Sequence, residues 1–302
     1  MGYAALLEVS GRVNDLLNAG SVLSWDARTM MPKGGAATRS KQLATLAVAA
    51  RNLLCSDEMK RALEAAEAEV AGLPQDSAEA RATGQVREAI DYHERIPTEL
   101  LRRKTELGSA AHEVWAEARR TADFSIFADA LATMVDINRE MAHAIGFEAH
   151  PYDALMYRFE PGTTKAGLDT LFAELREGML PLVQAIANAD APRSDFLFRE
   201  YPVDAQMDFA LKMARRIGYD TDRGRLDLTV HPFEVSFTRN DVRITTRVAS
   251  DYMPMSLFGA LHEAGHAMYE QNVDPAYTRT PLATDLVSLY AVGGVSFGAH
   301  ES

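Results

Sequence analysis

Phe233-Glu234-Val235-Ser236-Phe237-Thr238-Arg239-Asn240-Asp241-Val242-Arg243-Ile244-Thr245 is the stretch on which the fold turns. Apolar Phe233, Val235 and Phe237 alternate with polar Glu234, Ser236 and Thr238, and the alternation resumes through Val242, Arg243, Ile244 and Thr245. A period of two sends successive side chains to opposite faces of a strand. Arg239-Asn240-Asp241 supplies turn chemistry between the two runs, so the stretch predicts a β-hairpin. It stands alone. The texture changes near Asp227, and a helical pattern returns over 255–271.

Upstream, to about residue 217, the pattern is helical. Phe127, Leu131, Met134, Val135, Asn138, Met141 and Ile145 step by three and four, which predicts one buried stripe. Leu168, Leu171, Phe172, Leu175, Met179 and Leu180 do the same after Thr163-Thr164, a capping pair, and Pro181 then predicts a kink or an end. The segment 97–120 opens with Pro97 at a first-turn position. Pro and Gly gather between these stretches, at 31–35, 72–74 and 160–162. The expected fold is mostly α, with long helices and a small β-hairpin before a last helix. Residues 1–226 form a helical region and 227–302 the hairpin and that helix, as two units or one domain.

At 302 residues, with 47% hydrophobic and 25% charged content, the chain can bury a sizeable core. Lys+Arg 31 against Asp+Glu 43 gives a net charge of −12, which argues against nucleic acid or an anionic membrane surface as partner. The single Cys55 makes no internal disulfide and reads as a small core residue. Residues 1–10 have no secretory pattern, and the uncharged run 286–299 is too short to span a bilayer. A cytoplasmic protein is expected.

The last helix carries His262-Glu263-Ala264-Gly265-His266. Residues four apart share a helical face, so both imidazoles reach one metal ion. Glu263 is rotated off that axis, close enough to take a proton from water rather than to ligate. A catalytic zinc wants a third protein ligand. Glu270 points further along the same helix, and Asp274 follows too closely to return. That leaves His300-Glu301, with Asp285 a poorer choice.

These residues resemble the carboxypeptidase Taq family of zinc metallocarboxypeptidases. The likeness begins at Leu23-Ser24-Trp25-Asp26 and continues through 114–119, 151–155 and Glu160-Pro161-Gly162. It is sharpest at His231-Pro232-Phe233, Asp241-Val242-Arg243-Ile244-Thr245, the His262–His266 pair and His300-Glu301-Ser302. The resemblance implies a helical fold with a deep groove, a small sheet at the groove wall, and a homodimer. It implies zinc, with cobalt able to substitute, on His262, His266 and Glu301, with Glu263 as general base. The substrate would be a peptide, losing single residues from its C-terminus. An edge strand beside the metal helix can pair with an extended peptide, so His231, Asp241, Arg243 and Thr245 are the substrate-binding candidates, His231 as a shaper of the groove wall. A zinc metalloendopeptidase and an inactive relative serving as a binding or structural protein are the alternatives.

Two departures from the family carry expectations of their own. The interval from His266 to Glu301 is longer than the family's, the excess lying within 284–294. The family also continues past the position of Ser302 with a large portion that carries a Gln-Asp-x-His-Trp motif and groups for the substrate carboxylate and the oxyanion. The 302-residue chain by itself is therefore expected to show little carboxypeptidase activity and weakened zinc affinity. Its C-terminal region is expected to associate, to repack or to be disordered.

Overall fold

Helix-forming sequence gives helices almost throughout. The computed structural model describes residues 2–157, 159–284 and 286. In chain order these form α1 (Gly2–Thr29), α2 (Ala36–Leu54), α3 (Asp57–Val70), α4 (Ala78–Arg95), α5 (Thr98–Thr121), α6 (Ser125–Ile145), α7 (Pro151–Met156), α8 (Lys165–Ala187) and α9 (Val203–Ile217). Three strands follow, β1 (Leu226–Leu228), β2 (Glu234–Thr238) and β3 (Asp241–Thr246), and then α10 (Pro254–Gln271). Local chemistry sets several boundaries. Ser56 and Ser77 accept from the amides of Met59 and Ala80 to start α3 and α4, and Thr164 accepts from Gly167 at 3.2 Å to start α8.

The main core lies among α1 to α6. Leu6 and Val13 of α1 meet Leu43 and Ala47 of α2, Met59 and Leu63 of α3, Ile90 of α4, Leu101 of α5 and Met141 of α6. Each large side chain of this set removed from water stabilises the fold by about 1.5–3 kcal/mol. A second, smaller core joins α9, the sheet and α10 through Ala214, Tyr219, Val242, Ile244, Ala264 and Ala267.

The hairpin forms over the expected residues, β2 pairing antiparallel with β3 in the register Glu234↔Ile244, Val235↔Arg243 and Ser236↔Val242. It gains a partner that alternation could not reveal. The three-residue β1 pairs parallel with β3, giving the order β1-β3-β2 and, among the described residues, leaving the outer edge of β2 without a strand partner. Val242 and Ile244 face α10, whereas Arg243 faces α1 and the ring of Trp25.

Three helical expectations need correction. The stripe on α6 is buried only in its C-terminal half, at Ile137, Met141 and Ile145, while Leu131 and Val135 are exposed. The stripe on α8 is not buried anywhere, and Leu171, Phe172, Leu175, Met179 and Leu180 all face outward. Pro181 does not end α8, which runs on to Ala187. On an exposed helix, water can satisfy the Glu177 carbonyl that the missing amide leaves free.

Candidate metal centre

The sequence of α10 sorts its residues by size. Ala260, Ala264 and Ala267 are fully buried, and their small side chains let the helix lie close on the sheet. Gly259 permits the closest approach: a Cβ there would lie 2.8 Å from the Thr246 hydroxyl and 3.7 Å from the Pro232 ring. Both ends of the helix are tied by buried polar groups. At its start, Ser256 donates to the Gln206 side-chain oxygen at 2.8 Å, Gln206 donates to the carbonyls of Tyr201 and Ala249, and Thr246 donates to the Ser256 carbonyl. At its end, Gln271 exchanges hydrogen bonds with the backbone of Asp220, and its own carbonyl accepts from Arg223 and Arg239. Two guanidinium groups at a helix C-terminus also oppose its dipole favourably.

On the outer face, His262 and His266 bring their Nε2 atoms to 3.3 Å, the rings nearly perpendicular at 79°. Two nitrogens each about 2.0–2.1 Å from one tetrahedral zinc would lie about 3.3 Å apart, so the pair fits that ion. Burial, and then the neighbouring His262, hold His266 below its ordinary pKa, which favours the neutral ligand form. Among the described residues, no group of three or more His, Cys, Asp or Glu side chains assembles a metal site. The third ligand implied by the resemblance, Glu301, lies outside the described residues, as do His300 and Asp285.

Glu263 points inward and is only 3% exposed. Burial raises its carboxyl to about 7, opposed by a hydrogen bond from the Glu234 amide. The Glu234 carboxyl stands well above the usual carboxylate range, first through burial and then through the charges of Glu270 and Glu263. Burial also raises Glu270, and a hydrogen bond with Ser236 opposes the rise on both of these residues. The alternation of β2 did carry this signal, because Glu234 and Ser236 share the face turned to α10. The two glutamine ties had no local signal.

The substrate-binding candidates do not converge on one point. Asp241 and Arg243 pair with each other through two bonds of 2.8 and 2.9 Å, and the guanidinium stacks on Trp25 at 4.4 Å and Phe237 at 4.9 Å. Thr245 is sealed from solvent, accepting from the Phe233 amide at 2.7 Å and donating to the Phe233 carbonyl at 2.9 Å. It shapes the turn that carries His231. His231 itself is exposed, next to the Pro232 that lies along α10.

A family model described as "Carboxypeptidase Taq (M32) metallopeptidase" matches residues 5–302. The chain is 36% identical over 292 residues to Carboxypeptidase 1 of Bacillus subtilis, covering 96% of this chain and 56% of that protein. It is 36% identical over 313 residues to Thermostable carboxypeptidase 1 of Thermus thermophilus, covering 99% and 59%. The crystal structure of BsuCP superposes with a TM-score of 0.89 at 34% identity, covering 93% of this chain and 56% of that one. The chain thus spans a little over half the length of the relatives it matches. Among the described residues, no helix is long and apolar enough to cross a membrane.

Proposed function

The chain belongs to the carboxypeptidase Taq (M32) metallopeptidase family, and from that premise we propose that it is the zinc-site portion of a metallocarboxypeptidase that releases C-terminal amino acids from peptides. The observation that carries the reading is the His262–His266 pair at 3.3 Å with buried Glu263 between them in sequence. His262 and His266, with Glu301, hold the ion. Zinc bound there supplies Lewis-acid polarisation of the scissile carbonyl and makes water a stronger acid. Glu263 accepts the proton of the attacking water and returns it to the leaving amine. Its raised proton affinity suits both transfers near neutral pH, and the Glu234 amide keeps the carboxylate aimed. The edge of β2 that pairs with no described strand offers backbone groups to an extended peptide, apart from the Phe237 carbonyl, which accepts from Asn18.

The test is hydrolysis by the chain loaded with zinc or cobalt, assayed beside Glu263→Gln. The variant is expected to retain its metal and lose turnover by at least about a hundredfold, because an amide cannot take the proton. Turnover within tenfold of the parent removes Glu263 from the mechanism. Single free amino acids are the expected products; internal cleavage of a C-terminally amidated peptide would make the enzyme an endopeptidase.

A further inference from the structure

Past His266, α10 runs along a cavity that the reading above does not use. Glu270 stands four residues after His266, so the two are neighbours on the helix surface, with Cβ atoms about 5–6 Å apart. Tyr269 and Glu270 form one wall of this cavity of about 440 Å³, and Gln85 and Glu88 of α4 form another. Residues 281–284 and Leu286 close a third side. That side is fastened to the rest of the fold. The Thr284 hydroxyl donates to the Asn14 side-chain oxygen at 2.7 Å, and His93 donates from Nε2 to the Leu286 carbonyl at 3.1 Å. The volume suits a side chain of a bound molecule rather than one or two waters.

The lining combines two chemistries. Val273, Leu282 and the ring of Tyr269 supply apolar surface, and Tyr269 leaves three quarters of its area exposed. Glu88 and Glu270 supply carboxylates, and among the described residues no Lys, Arg or His lines the cavity. Cations on the elements around it are engaged elsewhere. Arg279 pairs with Asp15 at 2.6 and 2.9 Å, Arg87 pairs with Glu67 through two bonds of 2.8 Å, and Arg95 donates to the Ile145 carbonyl at 3.2 Å. Burial holds Glu270 above its ordinary pKa, and Ser236 gives it a hydrogen bond but no charge. A cation brought to the pocket would favour the ionised carboxylate. Lysine and arginine match both halves of the lining, with a long apolar stem and a charged head.

We propose that this cavity is a subsite for a lysine or arginine side chain of the peptide, borne by a residue next to the scissile bond. The stem lies against Tyr269, Val273 and Leu282, and the charged head meets Glu88 and Glu270. That the ligand is a peptide rests on the peptidase reading. The binding itself needs neither turnover nor metal uptake, so it is measured by calorimetry on chain carrying Glu263→Gln, with and without zinc. Four peptides are titrated. They are acetyl-Ala-Ala-Arg and acetyl-Ala-Arg-Ala, and the twin of each with citrulline, which keeps the shape of arginine and removes its charge.

At least one arginine peptide is expected to bind about tenfold more tightly than its citrulline twin, with the difference shrinking at about 0.5 M salt. The position at which arginine wins assigns the pocket to the C-terminal residue or to the one before it. Glu88→Gln with Glu270→Gln is expected to abolish the preference. Tyr269→Ala is expected to weaken both twins alike, because it removes the surface under the stem and leaves the charges. Asp129→Asn, an exposed carboxylate of α6 outside the cavity, should leave the preference unchanged and so separates the pocket from the general pull of a chain of net charge −12. Should Glu270→Gln fail to fold, Glu88→Lys takes its place and is expected to put citrulline ahead of arginine. Equal affinity for the twins, no binding by any peptide, or a preference that survives the Glu88 and Glu270 substitutions overturns the subsite. Hydrolysis is assayed separately on the parent chain, so failure of the peptidase reading and failure of this subsite give different results.

Discussion

Helices α10 and α8 have comparable lengths, 18 and 23 residues, and both are rich in apolar side chains. Their fates differ. α10 buries Ala260, Ala264 and Ala267 against the sheet and is tied at both ends by buried glutamines. α8 buries no residue, and Leu171, Phe172, Leu182 and Ile186 are each more than half exposed. Hydrophobic content therefore does not decide burial. Small side chains that allow close approach, and polar ends that find partners, decide it for α10; among the described residues nothing covers the bulky face of α8.

The comparison can be broken most sharply at the metal pair. His262→Ala and His266→Ala are each expected to lower zinc affinity by at least about a hundredfold, since each removes a ligand. Polar substitution of Leu175 on α8 should leave it unchanged. Elemental analysis and competition with a chelating dye read the difference, and zinc retained at parental affinity in both His variants would dismiss the site.

Next comes the tie at the start of α10. Gln206→Leu leaves the Ser256 hydroxyl only the Met253 carbonyl, leaves Ala249 only the long bond from the Tyr252 amide, and takes the side-chain donor from the Tyr201 carbonyl, a loss of about 1–3 kcal/mol in urea unfolding. Leu175→Gln on α8 is expected to stay within about 0.5 kcal/mol. Equal effects at the two positions would mean that the helices are not held differently.

Glycine substitution should give opposite signs in the two helices. A Cβ on Gly259 of α10 meets the Thr246 hydroxyl at 2.8 Å, whereas one on Gly178 of α8 meets nothing within 4 Å. Gly259→Ala is expected to destabilise by about 1–3 kcal/mol despite alanine's better helix propensity. Gly178→Ala is expected to stabilise by about 0.5–1 kcal/mol. Thermal melts of the two variants decide it, and a common sign would remove the close-approach argument.

The smallest effect concerns the carboxylates facing α10. Burial and then the Glu270 and Glu263 charges raise Glu234, so the folded chain keeps this proton to higher pH than the unfolded chain does. Stability from this group is thus complete below the ordinary carboxylate pKa and is lost as pH rises through the folded value. In metal-free protein, Glu234→Gln is expected to melt about 1 °C above the parent at pH 8 and level with it at pH 4. A gap that grows on acidification would reverse the sign and refute the assignment.

Much of this site was legible because its parts are local. A spacing of four puts His262 and His266 on one helical face whatever surrounds the helix, and alternation defines the two faces of β2 and β3 once they are extended. Family motifs placed the metal pair and the His231 turn in one neighbourhood. The same reasoning placed Arg243 and Thr245 at the groove, where the structure stacks Arg243 on Trp25 and seals Thr245 beneath Phe233. A period of two says which residues share a face and nothing about what that face meets.

By itself, then, the sequence determined the helical class, the hairpin, the placing of His262 and His266 on one helical face and the turning of Glu263 away from it, because periods of 3.6 and 2 are properties of the backbone alone. Tertiary structure decided what distant elements bring to one another. It added β1 to the sheet, left α8 uncovered among the described residues, and brought Arg28 of α1 over Phe233 and Arg119 of α5 to the Val230 carbonyl, at the turn before β2. Such meetings depend on shape complementarity and on which charges can be desolvated together. No local pattern carries that information.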